Sequence, residues 1–525
     1  MTVVHNADGV PTEHVTVAVV GGGPTGIAAA TLLAQYGVGT LVLDRWSQVY
    51  PQPRAVHLDD EVYRILARLG VADEFAAISR PSRGLRLVDR NLAVLAEFRR
   101  ATTLTRNGFP AASMFDQPRL EELLRRNLAR HPRARLRGDV EVIEVDASRH
   151  PIRLRIRDRV SHRESVVTAD HVLGCDGANS MVRDTIGAAM HALDTDQRWL
   201  VVDIATAADL RQWDGVHQLC DGHRAGTYMR IGPERYRWEF ALLDDESADD
   251  YPTVEALRPL IAPWTAHVDD TELHLLRVAE YTFRAQIADR WQDGSVFLLG
   301  DAAHLTPPFI GQGLGAGLRD AMNLAWKIAG VHRGHFPRQM LDSYQVERRP
   351  HARAMIALAR AVGRAMTAGG RTGAAARRLL LPALHLVPGL RATVTESATP
   401  PLRSSALIRP TMRTRRITGR LCPNAILGNG RRLDDELGAG FGVITTVALT
   451  PDQHDILDNR GARSIYAPPG SELAGWLKRG HATAAVVRPD RTVMIAGRDR
   501  TALCRALPVF LLDHEMDRPG VPSTP

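Results

Sequence analysis

The sequence predicts an α/β fold built on a parallel sheet, with an inserted mixed sheet and a further C-terminal unit. Three observations predict it. Apolar runs lead into glycine-rich turns near residue 20 and near residue 300, and each turn opens a helical pattern. Between them, residues 186–290 carry short runs of alternating apolar and polar residues, which is typical of strands buried on one face. Beyond residue 411, a strand running into a turn indicates another unit.

The first glycine turn lies between an apolar strand and a helix. Gly21 suits the tight turn, Gly23 lets the main chain approach a pyrophosphate, and Gly26 lets the helix pack closely on the strand. Asp44 ends the second strand, at the spacing expected of an acid that holds a ribose hydroxyl. These features predict a dinucleotide site, but the glycines do not distinguish FAD from NAD. The residues predicted to form it are Gly21, Gly23, Pro24, Thr25, Gly26 and Asp44.

Two later segments repeat the strand-to-turn pattern. One strand leads to Gly300 and Asp301, and closely spaced glycines from 311 to 317 then open a long amphipathic helix. Another strand ends in Asp176 and Gly177. A carboxylate at such a turn accepts hydrogen bonds from hydroxyl groups, and a helix N-terminus stabilises a negative charge.

Together, the three motifs resemble those of the FAD-dependent aromatic hydroxylases, the single-component flavoprotein monooxygenases. The resemblance implies a Rossmann-like FAD-binding domain of the para-hydroxybenzoate hydroxylase type. It also implies that Asp301 holds the ribityl chain and that Asp176 lies in a motif associated with both FAD and NAD(P)H. The residues that the resemblance places along the isoalloxazine are Pro308, Gly311, Gly313 and Leu314.

Residues 50–61 narrow the resemblance to the branch that contains 3-(3-hydroxyphenyl)propionate hydroxylase and related phenol and polyketide hydroxylases. A Pro-Arg-Ala segment supplies an arginine to the cofactor there, which implies that Arg54 contacts FAD. The resemblance also implies that Arg45 lies near the adenosine end and that Gln117 begins a helix under the flavin. In a chain this rich in arginine, solvated surface arginines are the alternative for Arg45 and Arg54.

The resemblance implies that NADH or NADPH reduces FAD, that O2 forms a flavin C4a-hydroperoxide, and that a phenolic or polyphenolic ring is hydroxylated. Such a site needs an acceptor for the phenolic proton and must exclude water. Baeyer–Villiger or epoxidising oxidation of an aromatic polyketide or antibiotic is an alternative on the same scaffold. A non-oxygenating flavin reductase and a sequestering flavoprotein are alternatives of another class.

The sequence does not identify the catalytic base. His57 and His304 are candidates because they lie in segments near the flavin, and a structural role is the alternative for each. The candidate pocket residues are Tyr228 and Trp238, from the alternating runs, and Pro307 and Phe309, beside the flavin turn. Core packing is the alternative for the two aromatic residues of the alternating runs.

Composition favours a cytoplasmic enzyme with no nucleic-acid or membrane partner, and the resemblance implies a small aromatic substrate. The formal net charge is +7, but the basic residues are scattered among acids and form no basic block. No run approaches the ~20 apolar residues of a membrane span, and no leader pattern precedes the first strand. The four cysteines are widely separated, so neither a disulfide scaffold nor a metal site is predicted.

We predict an FAD-binding domain in two parts, 1–185 and 291–370, which enclose a substrate-binding β-sheet domain at 186–290. A helical connection at 371–410 then leads to a thioredoxin-like domain at 411–525. This last unit resembles the C-terminal domain of the phenol hydroxylase branch but lacks redox cysteines. The resemblance therefore indicates a structural or dimer-forming role, and we expect a homodimer.

Overall fold

The computed structural model describes residues 4–5, 11–51, 55–100, 102–307, 311–367 and 399–512. Its helices are α1 (Pro24–Gln35), α2 (Asp60–Leu69), α3 (Ala72–Ile78), α4 (Gln117–Leu128), α5 (Met181–Thr185), α6 (Val254–Thr265), α7 (Gly313–His332), α8 (Ser343–Thr367), α9 (Leu433–Leu437), α10 (Pro451–Asp458), α11 (Glu472–Arg479) and α12 (Arg500–Ala506). Its strands are β1 (Val4–His5), β2 (Pro11–Val20), β3 (Thr40–Leu43), β4 (His57–Asp59), β5 (Ser79–Pro81), β6 (Gly84–Val88), β7 (Val94–Arg99), β8 (Ala112–Phe115), β9 (Ala134–Arg137), β10 (Val140–Asp146), β11 (Ile152–Asp158), β12 (Glu164–Gly174), β13 (Met190–Ala192), β14 (Gln197–Ala205), β15 (Val216–Leu219), β16 (Gly226–Arg230), β17 (Arg235–Ala241), β18 (His274–Phe283), β19 (Gln286–Ala288), β20 (Gln292–Asp293), β21 (Val296–Leu298), β22 (His304–Leu305), β23 (Gly442–Thr445), β24 (Arg463–Tyr466), β25 (Ala484–Val487) and β26 (Val493–Gly497).

The largest sheet forms the base of the FAD-binding unit. Its central strands run parallel in the order β9, β3, β2, β12 and β21, with β10 and β11 added antiparallel on one side. Because parallel strands end at the same edge, the turns that follow β2, β12 and β21 meet there. This sheet and the helices around it contain the main hydrophobic core.

Two helices begin beside that edge for clear local reasons. Helix α1 starts with Pro24 in its first turn, and a Cβ on Gly26 would overlap the carbonyl oxygen of Gly21, so the helix packs tightly on the turn. Helix α2 is capped by Asp59, whose carboxylate accepts a hydrogen bond from the Val62 N–H at 2.9 Å. Both helices therefore hold fixed positions next to the strand ends.

A seven-stranded sheet lies over this unit, in the order β18, β14, β17, β16, β15, β6 and β7. Helix α6 covers one of its faces. Strands β6 and β7 come from residues 84–99, which the predicted division assigned to the FAD-binding domain. The substrate sheet therefore draws on more of the chain than residues 186–290, because two early strands add to its edge.

The C-terminal unit contains a four-stranded sheet in the order β24, β23, β25 and β26. Strands β23 and β24 are parallel, and the other two pairs are antiparallel. With α10, α11 and α12, the order along the chain is βαβαββα, which is the thioredoxin-like arrangement that the sequence predicts.

This unit begins earlier than residue 411. The Leu402 N–H donates to the Gly419 carbonyl at 2.8 Å, and the Arg409 N–H donates to the Met494 carbonyl at 2.8 Å. Residues 399–410 contain no helix, contrary to the predicted helical connection, because they pack as extended chain and turns on the C-terminal sheet. The rest of that predicted connection, 371–398, lies outside the described residues.

Aromatic side chains join the C-terminal unit to the FAD-binding unit. Trp326 on α7 meets Phe441 edge-on, with ring centroids 5.4 Å apart, and Phe336 stacks on Phe510 at 5.6 Å. These rings are at most 4% exposed and belong to the main core. The two units thus share one hydrophobic core. Within the described ranges, no helix combines the length and apolar character needed to cross a bilayer.

Candidate active site

Three motifs that are far apart in the sequence meet at the carboxyl ends of β2, β12 and β21. The Cys175 N–H donates to the Val20 carbonyl at 2.8 Å, and the Leu299 N–H donates to the Gly174 carbonyl at 2.9 Å. A Cβ on Gly21 would overlap the carbonyl oxygen of Cys175. The first glycine turn and the Asp-Gly segment are therefore in direct contact.

The Gly-Asp turn packs on the start of α1. A Cβ on Gly300 would lie 2.8 Å from the hydroxyl oxygen of Thr25, and a Cβ on Gly317 would overlap the same oxygen. Asp301 follows Gly300 directly and is half-buried. The early turn and the helix entrance some 300 residues later therefore lie at one place.

Three glycines of these motifs face open space instead of packed atoms. A Cβ on Gly23, Gly177 or Gly313 would meet nothing within 4 Å. Gly23 caps α1 and Gly313 begins α7, so the N–H groups of two helix starts border this space. A pyrophosphate and a flavin ring need such close approach to the main chain. The residues present therefore fit FAD.

Asp44 ties the end of β3 to the glycine turn. Its carboxylate accepts hydrogen bonds from the Gly22 N–H and, at 2.7 Å, from the Trp46 N–H. Arg125 on α4 donates to the Gly22 carbonyl at 3.2 Å and to the Ser47 carbonyl at 2.9 Å. Sequence reasoning did not identify Arg125. A role of Asp44 toward ribose stays a prediction.

Gln117, the first residue of α4, supports the segment that enters α2. Its Oε1 accepts from the Ala55 N–H at 2.5 Å, and its Nε2 donates to Glu121 at 2.6 Å. Arg125 lies one further turn along the same face of the helix, at the i, i+4 spacing. That spacing is the signal by which Arg125 could have been found.

The other residues predicted to contact FAD or substrate lie in different surroundings. Asp176 accepts from the Ser180 hydroxyl at 2.5 Å and from the Val182 N–H at 3.1 Å, and burial raises its pKa. Arg45 is exposed, Leu314 is half-buried in the first turn of α7, and Pro307 is buried. Arg54, Pro308 and Phe309 lie outside the described residues.

Asp320, on α7, holds the Gly-Asp turn in place. It is 0% exposed and accepts from the Gly300 N–H at 3.0 Å and from Arg348 Nε at 2.8 Å. His304 Nε2 lies 2.7 Å from the same carboxylate, and its ring stacks on Trp291. Burial opposes ionisation of Asp320, but the charges of His304 and Arg348 lower its pKa overall. This arrangement supports the structural alternative for His304.

His57 lies against the predicted flavin turn. A Cβ on Gly311 would be 2.8 Å from its Nδ1, and Arg100 Nη1 lies 2.8 Å from its Nε2. Burial, and then the charge of Arg100, lower the pKa of His57 to about 3. The imidazole is therefore neutral at neutral pH and is a weak proton acceptor.

The seven-stranded sheet turns Tyr228 and Trp238 away from the flavin turn. Both pack under α6, where Tyr228 stacks on Trp264 with ring centroids 5.8 Å apart. Trp238 is 0% exposed. This placement favours core packing, the alternative for both residues, and their lining of the substrate pocket stays a prediction. Strand periodicity shows that the faces differ, but it does not show which face is turned inward.

The opposite face of the sheet meets the FAD-binding unit. Met229, next to Tyr228 and so on the other face, packs with Val216 against Val56 and Met114. Val56 lies in the segment between the Pro-Arg-Ala sequence and α2. Since His57, the residue after Val56, lies against Gly311, this face of the sheet is turned toward the predicted flavin turn.

Charged side chains follow the same face of β17. Arg237 forms a two-bond ion pair with Asp203 at 2.7 and 2.9 Å, and both are buried. Glu239 stands opposite Thr227 of β16 and is 9% exposed. Burial raises the pKa of Glu239, opposed in part by the charge of Arg237. A buried carboxylate of raised basicity is suited to take a proton. The alternate charges at 235, 237 and 239 are the signal that sequence reasoning missed.

A known family covers most of the chain. The family described as FAD binding domain matches residues 14–359. The chain belongs to this FAD-binding family. Its fold class and its FAD cofactor are therefore confirmed.

Two relatives agree with this membership. The chain is 33% identical over 513 residues to a 3-(3-hydroxy-phenyl)propionate/3-hydroxycinnamic acid hydroxylase of Burkholderia cenocepacia (strain HI2424), covering 92% of this chain and 93% of the relative. It is 36% identical over 356 residues to a probable NADH-specific resorcinol 4-hydroxylase of Rhodococcus jostii (strain RHA1). This match covers 68% of this chain and 66% of the relative. The predicted enzyme class, an FAD- and NAD(P)H-dependent aromatic hydroxylase, is confirmed.

Two solved structures share the fold. The flavin-dependent monooxygenase PieE, in complex with FAD and substrate, has a TM-score of 0.79 at 23% identity and covers 94% of this chain and 98% of its own. A ternary complex of aklavinone-11 hydroxylase with FAD and aklavinone has a TM-score of 0.77 at 22% identity. It covers 94% of this chain and 99% of its own.

Proposed function

We propose that this enzyme hydroxylates a single-ring phenol of the kind named for its relatives, such as a 3-hydroxyphenylpropionate or a resorcinol, with O2 and NAD(P)H. The observation that carries the proposal is the meeting of the glycine turn, the Asp-Gly segment and the Gly-Asp turn at the carboxyl ends of β2, β12 and β21. FAD, when bound, supplies the hydride acceptance and the oxygen activation that protein side chains lack.

We assign the binding of FAD to the two helix starts and to Asp301. The N–H groups at the start of α1 suit the pyrophosphate, and Asp301 suits the ribityl hydroxyls. The start of α7, at Gly313, suits the negative charge of the reduced ring. Asp320 keeps the Gly-Asp turn against α7 through the Gly300 N–H, so that Asp301 stays in position.

We assign the phenolic proton to Glu239. Its carboxylate lies on the face of the sheet that meets the FAD-binding unit, whereas His57 is too weak a base at its pKa of about 3. A phenolate donates electrons to an electrophilic oxygen far better than a phenol, so an acceptor here favours ring hydroxylation over Baeyer–Villiger insertion. Location in the cytoplasm and assembly as a homodimer stay predictions from the sequence.

The test is a screen of phenols for stimulated NADH and NADPH oxidation under labelled O2. A substrate should raise the oxidation rate and gain one ¹⁸O atom in its ring hydroxyl. The control for 3-(3-hydroxyphenyl)propionate is 3-phenylpropionate, which lacks the phenolic group and should gain no label. If every stimulating phenol yields only hydrogen peroxide and unlabelled ring, the proposed hydroxylation is wrong.

A further inference from the structure

A cavity of about 540 Å³ lies behind α7, away from the flavin motifs. Its walls come from α2, α7 and α8 of the FAD-binding unit and from the C-terminal unit. Among the described residues, none of those assigned to FAD lines it. The volume is within the usual range of small-molecule sites.

Some of the arginines in its wall are neutralised by carboxylates. Arg64 pairs with Asp434 at 2.6 Å, and Arg319 donates to Asp59 at 2.6 Å. Arg348 is paired with Asp320, as described above. These groups hold α2, α7 and α8 together and are not available to a ligand.

Four other arginines, Arg68, Arg106, Arg420 and Arg432, have no ion pair in the part of the chain that the structure describes. The side chain of Arg420 makes one hydrogen bond, at 3.4 Å, to the Thr399 carbonyl. Burial, and then the charge of Arg106, lower the pKa of Arg420, so two positive charges lie close together there.

The acids of the wall do not balance these charges. Glu61 pairs with Arg319 at 3.1 Å, Glu74 pairs with Arg130 at 3.1 Å, and Asp490 pairs with Arg488. Among the described lining acids, only Asp73 and Asp435 have no cation partner. The cavity therefore carries an excess of positive charge.

Buried N–H groups in the wall also have no acceptor. Arg491 is 4% exposed and its Nη1 has no hydrogen-bond partner, and Arg68 is 8% exposed with Nε and Nη2 unpartnered. A buried N–H without an acceptor is costly, so these atoms point to a ligand or water that supplies oxygen atoms. Beside them, Phe109 stacks on Tyr63 with ring centroids 4.5 Å apart, and the guanidinium of Arg432 lies 5.8 Å from the Phe109 centroid.

We propose that this cavity binds a small molecule that carries phosphate groups and a flat ring. Arg106 and Arg420 hold the phosphate oxygens, and the ring lies against the guanidinium of Arg432. Guanidinium groups match phosphate geometry with paired hydrogen bonds and keep their charge at all relevant pH values. Stacking on the plane of a guanidinium suits a purine base.

The same chemistry has two possible sources, the adenylate half of NAD(P)H and a separate nucleotide effector. Arg319 lines the cavity and donates to Asp59 at 2.6 Å. Asp59 also accepts from Gln312 at 2.8 Å, and Gln312 directly precedes the first residue of α7. Occupancy of the cavity is thus connected to the predicted flavin turn.

The experiment is calorimetric titration of the FAD-saturated holoenzyme with pyrophosphate and with ADP, so that the flavin site is already filled. We expect saturable binding of both, with ADP binding more tightly because of its base. The double variant Arg106→Gln, Arg420→Gln should bind each at least about tenfold more weakly. Arg420→Lys, which keeps the charge, should lose less. The control Arg479→Gln removes an exposed arginine of α11 and should bind as the parent does.

Hydrogen exchange of the parent holoenzyme supplies a second measurement if the double variant does not fold. ADP should protect residues 105–109 and 419–424 and leave residues 472–479 unchanged. Competition of ADP with NADH in flavin reduction assigns the cavity to the pyridine nucleotide, and protection without competition assigns it to a separate nucleotide. The proposal is wrong if neither compound binds saturably, if the double variant binds with the affinity of the parent, or if ADP protects only residues outside the cavity. Any of these results would indicate that the cavity holds only water.

Discussion

Glu239 and Trp238 are neighbours on β17 whose side chains lie on opposite faces of the sheet, so they form a matched pair. Glu239→Gln keeps the shape but removes the proton acceptor, and we expect product formation to fall by about 10²–10⁴ with FAD content unchanged. In the parent enzyme, ionisation of Glu239 should make the rate rise with pH, and this rise should be absent from the pH profile of the variant's residual rate. Stopped-flow and product analysis measure both effects.

Trp238→Phe is the control on the other face. It should lower the free energy of unfolding by about 1–3 kcal/mol because a buried ring becomes smaller, while the folded fraction hydroxylates normally. Urea unfolding and turnover per bound FAD separate the two outcomes. Parental activity of Glu239→Gln across the pH range would remove Glu239 from the mechanism.

Asp301→Ala tests the predicted ribityl contact. Loss of the carboxylate removes hydrogen bonds to the ribityl hydroxyls, and we expect FAD to dissociate at least about tenfold more readily. Asp245→Ala, in an exposed loop, is the control and should retain FAD as the parent does. Equilibrium dialysis with FAD fluorescence measures the change. Equal retention by both variants would show that the ribityl contact lies elsewhere.

At the residue scale, the sequence predicted the motif residues but not those that hold the motifs. Gly21 and Gly300 are recognisable because backbone geometry demands glycine beside a turn, and both carry positive φ. Asp320, Arg125 and Glu239 act across the fold from regular helices and strands, where the i, i+4 spacing of Arg125 and the alternating charges around Glu239 mark a face but not its role. Their roles depend on which face of an element is turned inward, which one sequence does not specify.

At the element scale, the parallel sheet and the thioredoxin-like unit were predictable because periodicity and turns are local. The way in which that unit attaches to the FAD-binding unit was not predictable from the sequence. Glu347 on α8 accepts from Arg488, which follows β25, at 3.0 Å from each of two nitrogens, and Lys327 on α7 lies 3.0 Å from the same carboxylate. All three are 0% exposed. A buried ion cluster thus joins the two units, so the C-terminal unit is part of the structure that carries α7.

Arg488→Met tests this junction. It leaves Glu347 and Asp490 without their guanidinium partner in a buried place, and we expect a loss of about 3–5 kcal/mol in the free energy of unfolding. Arg479→Met, at an exposed position of α11, should change it by less than about 0.5 kcal/mol. Urea unfolding followed by tryptophan and flavin fluorescence measures both. Equal stability would mean that the cluster does not hold the units together.

At the scale of the whole molecule, acid should weaken the junction between the units. Burial acts against the charged form of Glu347, but Arg488 and Lys327 lower its pKa from 4.5 to about 2. The pKa of Asp434, which pairs with Arg64 of α2, is lowered from 3.8 to about 2. Each carboxylate therefore binds its proton more readily in the unfolded chain.

The sign follows from that difference. A carboxyl whose pKa is lower in the folded state stabilises the fold fully above its unfolded pKa and loses this contribution as the pH falls through the folded value. We expect the free energy of unfolding to fall steadily from about pH 4.5 to about pH 2, with FAD released in the same range. Urea unfolding at a series of pH values measures it. In Asp434→Asn, the free energy of unfolding should depend less on pH between pH 3.8 and 2, since the amide does not titrate. An unchanged slope in that variant would show that other groups cause the acid sensitivity.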